Sequence, residues 1–98
     1  MAYNIIVSSR ALAEIEAAID FYIIHSNDAP GKFIAALIEI YNSLSNNPFK
    51  RIRYKNIRAA SLKKFPYSLY FVINKQKNTV RVLACFHNKR NPKNRPSL

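Results

Sequence analysis

Apolar residues recur along the chain with two different periods, and the change falls near residue 50. Tyr3 to Val7 is a short apolar run with β-branched members, which predicts a first strand. Ser8 or Ser9 then offers a hydroxyl to a free backbone N–H and caps a helix that runs to about His25. Leu12, Ile15, Ile19, Tyr22 and Ile23 return at three- and four-residue intervals, so they form one buried stripe, with Glu14, Glu16 and Asp20 mostly off it. Ser26-Asn27-Asp28 breaks this helix and caps a second, whose first turn accommodates Pro30. The second stripe is Phe33, Leu37, Ile40, Tyr41 and Leu44, and Asn46-Asn47-Pro48 stops it. Two amphipathic helices joined by so few residues predict an antiparallel hairpin.

From Lys50 the period becomes two. Arg51-Ile52-Arg53-Tyr54 alternates, Ile57 to Phe65 reads as a strand, and Pro66 ends or kinks it. Tyr67 to Ile73 (YSLYFVI) is almost wholly apolar, the pattern of a central strand covered on both faces. Asn74 to Asn78 is a polar hairpin loop, and Thr79 to His87 is the last strand. Strict alternation sends Val80, Val82, Ala84 and Phe86 to one face and Arg81, Leu83, Cys85 and His87 to the other. Asn88 to Leu98 holds Lys89, Arg90, Lys93 and Arg95 with Pro92 and Pro96, too polar and proline-rich for a regular element. The predicted order is β-α-α-β-β-β. This is an α+β fold: an antiparallel sheet with an N-terminal helical hairpin packed on one face and a short basic C-terminal tail.

Composition narrows the picture. A chain of 98 residues predicts a single domain over 1–98. With 49% hydrophobic residues, six Phe and six Tyr, it builds a core without covalent staples. No apolar run approaches the roughly 20 residues that span a bilayer, and MAYNIIVSSR lacks the pattern of a signal peptide. The single Cys85 cannot form an internal disulfide, which suits a reducing, cytoplasmic setting. One glycine in the whole chain argues against glycine-rich phosphate loops.

Charge changes it more. All five carboxylates (Glu14, Glu16, Asp20, Asp28, Glu39) lie in the first 39 residues, and 14 of the 16 Lys and Arg lie from Lys50 onward. The first 49 residues therefore carry a net −3 and the remainder +14, for a total of +11. Solvated faces usually mix both signs. A half-chain this unbalanced repels itself and predicts a polyanionic or acidic partner.

Candidate chemistry is sparse. His25 and His87 are far apart in sequence and Cys85 stands alone, so neither a metal site nor a cofactor is predicted. His87 is the one side chain of the basic half that titrates near neutrality, and the sole ordinary acid–base candidate. Its bland counterpart is a histidine bonded to backbone at a strand end. Cys85 reads as a small buried apolar residue, and His25 as a helix C-terminal residue in the helix dipole. Lys75 and Lys77 read as a solvated hairpin tip. Phe65, Tyr67, Tyr70 and Phe71 are spaced as core rather than as stacking platforms for bases. Arg81 and His87 share a face under strict alternation, yet six strand residues are roughly 20 Å, too far to act on one atom.

The element order, L-K-K-F-P-Y-S-L-Y-F-V-I at Leu62 to Ile73 and V-R-V-L-A-C-F-H-N-K-R-N-P at Val80 to Pro92 together resemble the RelE/ParE superfamily of bacterial type II toxin–antitoxin toxins, of the plasmid stabilisation kind. The resemblance covers nearly the whole chain. Its most specific piece is F-H-N-K-R-N-P, similar to the family's L-H-G-R-R-D-P ending. It implies a growth-inhibiting toxin held by a cognate antitoxin in a hetero-oligomer, with two unlike activities open. RelE-type members cut messenger RNA in the ribosomal A site without a metal. ParE-type members poison DNA gyrase and need only a binding surface.

RNA cleavage by such a fold uses the 2′-hydroxyl as nucleophile, and needs a base, an acid and cations for the crowded phosphorane. By similarity, Lys63 and Arg90 occupy places where RelE-type toxins carry functional basic residues. Arg58 and Lys64 add phosphate contacts, and Arg81 and Lys89 complete the candidate target-binding set. Two departures bear on the nuclease alternative. No Tyr follows Tyr70, where many RelE-type toxins place one in the tail, and no carboxylate follows Glu39. Such a nuclease would rest on His87 with Lys and Arg. The F-P-Y strand entry and the ending look closer to the ParE branch. A non-toxic nucleic-acid-binding module is the remaining alternative, marked by steep salt dependence.

Overall fold

Seven elements follow one another in the structure, a computed structural model that describes residues 2–50 and 52–89. They are β1 (Asn4–Val7), α1 (Ser9–His25), α2 (Ala29–Asn46), β2 (Ile52–Tyr54), β3 (Ile57–Ser61), β4 (Tyr67–Asn74) and β5 (Thr79–His87). The strands form one sheet in the spatial order β1-β5-β4-β3-β2. The α+β class and the helical hairpin on one face agree with the pattern of the sequence. Two features of the sheet differ from it. Ile52–Tyr54 is a fifth strand, and the sheet is mixed rather than antiparallel because β1 runs parallel to β5, with Asn4 to Val7 opposite Thr79 to Val82. Alternation reports which side chains share a face and carries no information on strand direction, so the pattern could not distinguish the two. The predicted strand over 57–65 ends at Ser61, because the chain turns through Lys64 with a left-handed φ of 69°. The predicted irregular tail from Asn88 lies outside the described residues beyond Lys89.

The helices form for the reasons the sequence suggests, with one change of face. Ser8 caps α1, its Oγ accepting from the Ala11 N–H at 3.1 Å. Ser26 Oγ accepts from the N–H groups of Asp28 and Ala29 and so starts α2, with Pro30 in the first turn. Phe33, Leu37, Ile40 and Leu44 are buried as expected, joined by Ala36. In α1 the buried line is Ala11, Ile15 and Ala18, with Ile19 and Tyr22 partly buried beside it. Leu12 and Ile23, expected on that stripe, are 50% and 59% exposed. Alanines at both ends of the line let the helix sit close to the sheet, and that rotates the larger neighbours outward.

The β4–β5 ladder contains a one-residue bulge. Ala84 lies opposite Tyr70 and Val82 opposite Phe71, which leaves Leu83 as the extra residue of β5. Before the bulge, Val80 and Val82 join the core under the helices. After it, Cys85 joins that core, while Ala84 and Phe86 pack with Ile57 and Tyr70 on the other face. Strict alternation along 79–87 is therefore broken. Arg81 pairs with Val72 on the face away from the helices, and His87 pairs with Tyr67 on the helix side. The two do not share a face as alternation predicts.

Side chains of α1 complete the bonding of this bulge. Ser8 bonds two successive carbonyls of β5, the N–H reaching Val82 O at 2.9 Å and the hydroxyl reaching Leu83 O at 3.0 Å. Glu14 Oε1 accepts from the Cys85 N–H at 3.1 Å. The sequence puts Glu14 mostly off the buried stripe, but this bond turns it toward the sheet. Its other oxygen meets Arg10 Nε at 3.4 Å. Together these contacts stand in for the strand residues that β1 no longer supplies once the chain enters α1.

Two predictions follow from this packing. Ser8→Ala, which removes a cap and a cross-chain bond, is expected to lower the unfolding free energy by about 1–2 kcal/mol. Glu14→Ala is expected to cost more than Glu14→Gln, whose amide oxygen still accepts from Cys85. Urea unfolding of the three variants checks both. The second concerns pH. Burial raises the Tyr41 hydroxyl above its ordinary 10.0, and negative charge on the neighbouring Cys85 adds to the shift. The folded state thus keeps the proton that the unfolded chain gives up. This contribution to stability is complete below 10.0 and is lost as pH rises through the folded value. Unfolding measured about one unit either side of 10.0 should show a fall that Tyr41→Phe makes smaller.

Candidate functional site

One end of the sheet gathers the turn between β3 and β4 and the last residues of β5. The turn closes through the Leu62 N–H on Tyr67 O at 2.9 Å. Leu62 is buried, and Phe65 packs edge-on against Tyr22 and Phe33, each with ring centroids 5.3 Å away. With both ends of the turn anchored in the core, Lys63 and Lys64 between them project into solvent. The aromatic support continues through Tyr67, which meets Phe33 at 5.5 Å and His87 at 5.0 Å.

The end of β5 is tied to the same turn. The Asn88 N–H donates to Pro66 O at 2.9 Å, and Asn88 Oδ1 accepts from Ser68 Oγ at 2.8 Å. Ser68, a buried polar residue, also lies 3.2 Å from the Ser61 hydroxyl. The Lys89 N–H donates to His87 Nδ1 at 3.1 Å, which brings Lys89 back beside the turn. Because Nδ1 accepts there, the neutral ring carries its proton on Nε2. His87 thus spans a backbone turn and an aromatic contact.

Of the sequence-predicted residues, Lys63, Lys64 and Lys89 converge here with His87. Arg58 does not. Its Nη1 donates to Lys50 O at 2.7 Å and its guanidinium lies over Phe49, toward the other end of the sheet. Arg81 is exposed on the face away from the helices, five strand positions from His87 by their β4 partners, or roughly 17 Å. Arg90 lies outside the described residues. One residue that the sequence reading missed joins the cluster: Lys32 of α2 lines a concavity with Lys63, Lys64, Phe65, Ala35, Ala36 and Glu39. It belongs to the acidic half, so charge blocks hid it, although residues 32, 35, 36 and 39 share one helical face. Glu39 is the sole carboxylate lining this concavity. No group of three or more metal-type ligands occurs among the described residues. The arrangement is a cationic ridge on a rigid aromatic base, suited to holding an anionic or acidic surface.

A family model for the ParE toxin of type II toxin–antitoxin systems, parDE, matches residues 5–92. The chain belongs to this ParE toxin family. Three solved structures carry the same fold at low identity. A chain of the chromosomal ParDE TA system from P. aeruginosa superposes with a TM-score of 0.69 at 16% identity, over 88% of this chain and 96% of that one. A chain of the RelBE2 toxin–antitoxin complex from Mycobacterium tuberculosis gives 0.63 at 20% identity, over 89% and 99%. The isolated E. coli RelE toxin gives 0.58 at 18% identity, over 94% and 90%. No curated protein matches the chain. The ParE-family match and the RelE/ParE fold agree with the resemblance carried by Leu62–Ile73 and Val80–Pro92. Among the described residues, no helix of this ParE-family chain is long and apolar enough to cross a membrane.

Proposed function

We propose that this ParE-family chain, as one toxin domain over residues 1–98, inhibits growth by binding DNA gyrase and is neutralised by a cognate antitoxin. One observation carries the choice of gyrase over message cleavage. The groups that a nuclease of this type would need are dispersed. His87 Nδ1 is bonded to the Lys89 N–H, Arg58 is bonded to Lys50 O, and Arg81 lies on the opposite face from His87. Lys63 and Lys64 share their concavity with Glu39, and Lys89 follows the bonded His87, a charged surface that suffices for binding a target. The face away from the helices packs Ile57, Tyr70, Ala84 and Phe86 into a buried cluster and exposes Arg81, with the hydroxyls of Ser61 and Ser68 at its end.

An antitoxin partner is supported by the family and by the ParDE and RelBE2 systems of similar fold. The chemistry of the ridge asks for an acidic segment over Lys32, Lys63, Lys64 and Lys89. Covering those cations removes self-repulsion in the +14 half and stabilises the fold by mass action.

Purified protein is expected to raise the yield of gyrase-cleaved plasmid, and to leave a translated message uncut on purified ribosomes. His87→Ala should keep this activity. Lys63→Ala with Lys64→Ala should need about tenfold more protein, equivalent to about 1.4 kcal/mol of target binding. Ribosome-dependent cuts that His87→Ala abolishes would establish the endonuclease instead. For the antitoxin, adding the neighbouring gene's product should raise the melting temperature, and the rise should shrink in the Lys63→Ala, Lys64→Ala variant. An unchanged melting temperature would reject that pairing.

A further inference from the structure

The opposite end of the sheet carries a second set of cations, built in another way. Phe49 follows the stop of α2, its N–H donating to Asn47 Oδ1 at 3.2 Å, and it remains 45% exposed. Two cations meet this one ring. Arg58 and Lys75 each stand 5.4 Å from its centroid, and Tyr3 abuts it edge-on at 6.1 Å. The bond from Arg58 Nη1 to Lys50 O fixes the guanidinium and brings the backbone of a third cationic residue beside it. The β2–β3 turn at the same end adds Lys55, 5.3 Å from the ring of Tyr54, which is 50% exposed.

A cation over an aromatic face is attracted by the ring but keeps its charge. The ion pair seen among the described residues, Arg10 with Glu14, does not involve Arg58 or Lys75, and Glu39 shares a concavity with Lys50 at the rim. The cations are therefore held in place by rings and a carbonyl, with their charge still available. Lys75, which reads from sequence as a solvated hairpin tip, is part of the set. The other cationic end is distant: β4 runs from Tyr67 to Asn74 between the two, seven steps or roughly 23 Å.

We propose that Arg58 and Lys75 around Phe49, with Lys50 and Lys55 at the rim, form a contact site for the phosphate backbone of DNA, separate from the Lys63–Lys64–Lys89 end. Arg58 spends one nitrogen on Lys50 O and keeps further N–H donors in the planar fork that fits phosphate oxygens. Half-exposed rings beside the cations add apolar surface for the sugar next to each phosphate. The β2–β3 and β4–β5 turns place these cations at one end of the sheet. The site follows from this geometry alone and stands whether the target is gyrase or the ribosome.

The test measures binding of the full chain to a labelled duplex of about 20 base pairs across a salt series, by fluorescence anisotropy. Each phosphate contact contributes a slope of about 0.9 in log affinity against log salt. Lys75→Gln should flatten the slope by about one contact, and Arg58→Gln with Lys75→Gln by about two. Affinity at low salt should fall in the same order. Lys75 lies on an exposed turn, so its single variant keeps the test valid if the double variant melts early. Unchanged slope and affinity in folded Lys75→Gln would overturn the proposal. So would poly-glutamate that competes as well as DNA and loses binding in the same variants, since that result assigns the site to an acidic protein.

Discussion

The parallel junction of β1 with β5, closed by Ser8, is the constraint on which the remaining arrangement depends. Ser8 ends a strand, caps a helix and bonds two consecutive carbonyls of the partner strand. Those three roles set the angle at which α1 leaves the sheet. The end of α2 is tied to the residue before β1, where the Tyr3 N–H donates to Ser45 O and the Ser45 hydroxyl donates to Tyr3 O, both at 2.8 Å. With the start of α1 and the end of α2 both fastened beside β1, Tyr22 and Phe33 come to rest over Phe65 and Tyr67. The β3–β4 turn then has a solid floor and its lysines a fixed direction. Sequence, junction, packing and cationic ridge thus form one chain of cause.

Much of this was legible before any coordinates. The helical stripe of α2, the polar break at 26–28 and the apolar run of β4 all behave as their periods require. What escaped has physical reasons. In α1, small residues rather than large ones mark the buried line, so hydrophobicity pointed to Leu12 and Ile23 while close approach selected Ala11 and Ala18. Nothing in Val82-Leu83-Ala84 signals an extra residue, because all three suit a strand. The bulge is set by bonds to Ser8 and Glu14, which lie some 70 residues away along the chain. The candidate site divided in the same manner. Lys63, Lys64 and Lys89 are local to recognisable motifs, whereas Lys32 and Lys75 acquire meaning only from what the fold sets beside them.

The uneven charge also takes on a spatial form. Most of the carboxylates ride on the helices, and among the described residues Lys63, Lys64 and Lys89 stand at one end of the sheet and Lys55, Arg58 and Lys75 toward the other. Few internal pairs relieve them: the ion pair seen among the described residues, Arg10 with Glu14, lies within α1. Repulsion in the basic half is therefore left for an outside partner to offset. This fits a family whose members function in pairs, and it makes the free protein the less comfortable state of the two.

Both cationic ends are built on turns where the backbone is left-handed without glycine: Lys55 has φ 52° and Lys64 has φ 69°. An L-residue in that region costs about 1 kcal/mol, and the chain's one glycine sits elsewhere, in α2. A lysine thus occupies each position that glycine would fill with less strain. A lysine also has fewer backbone conformations to lose on folding than a glycine, which offsets part of that strain through the unfolded chain. At both turns a side chain that carries charge is thus gained at a cost in backbone strain.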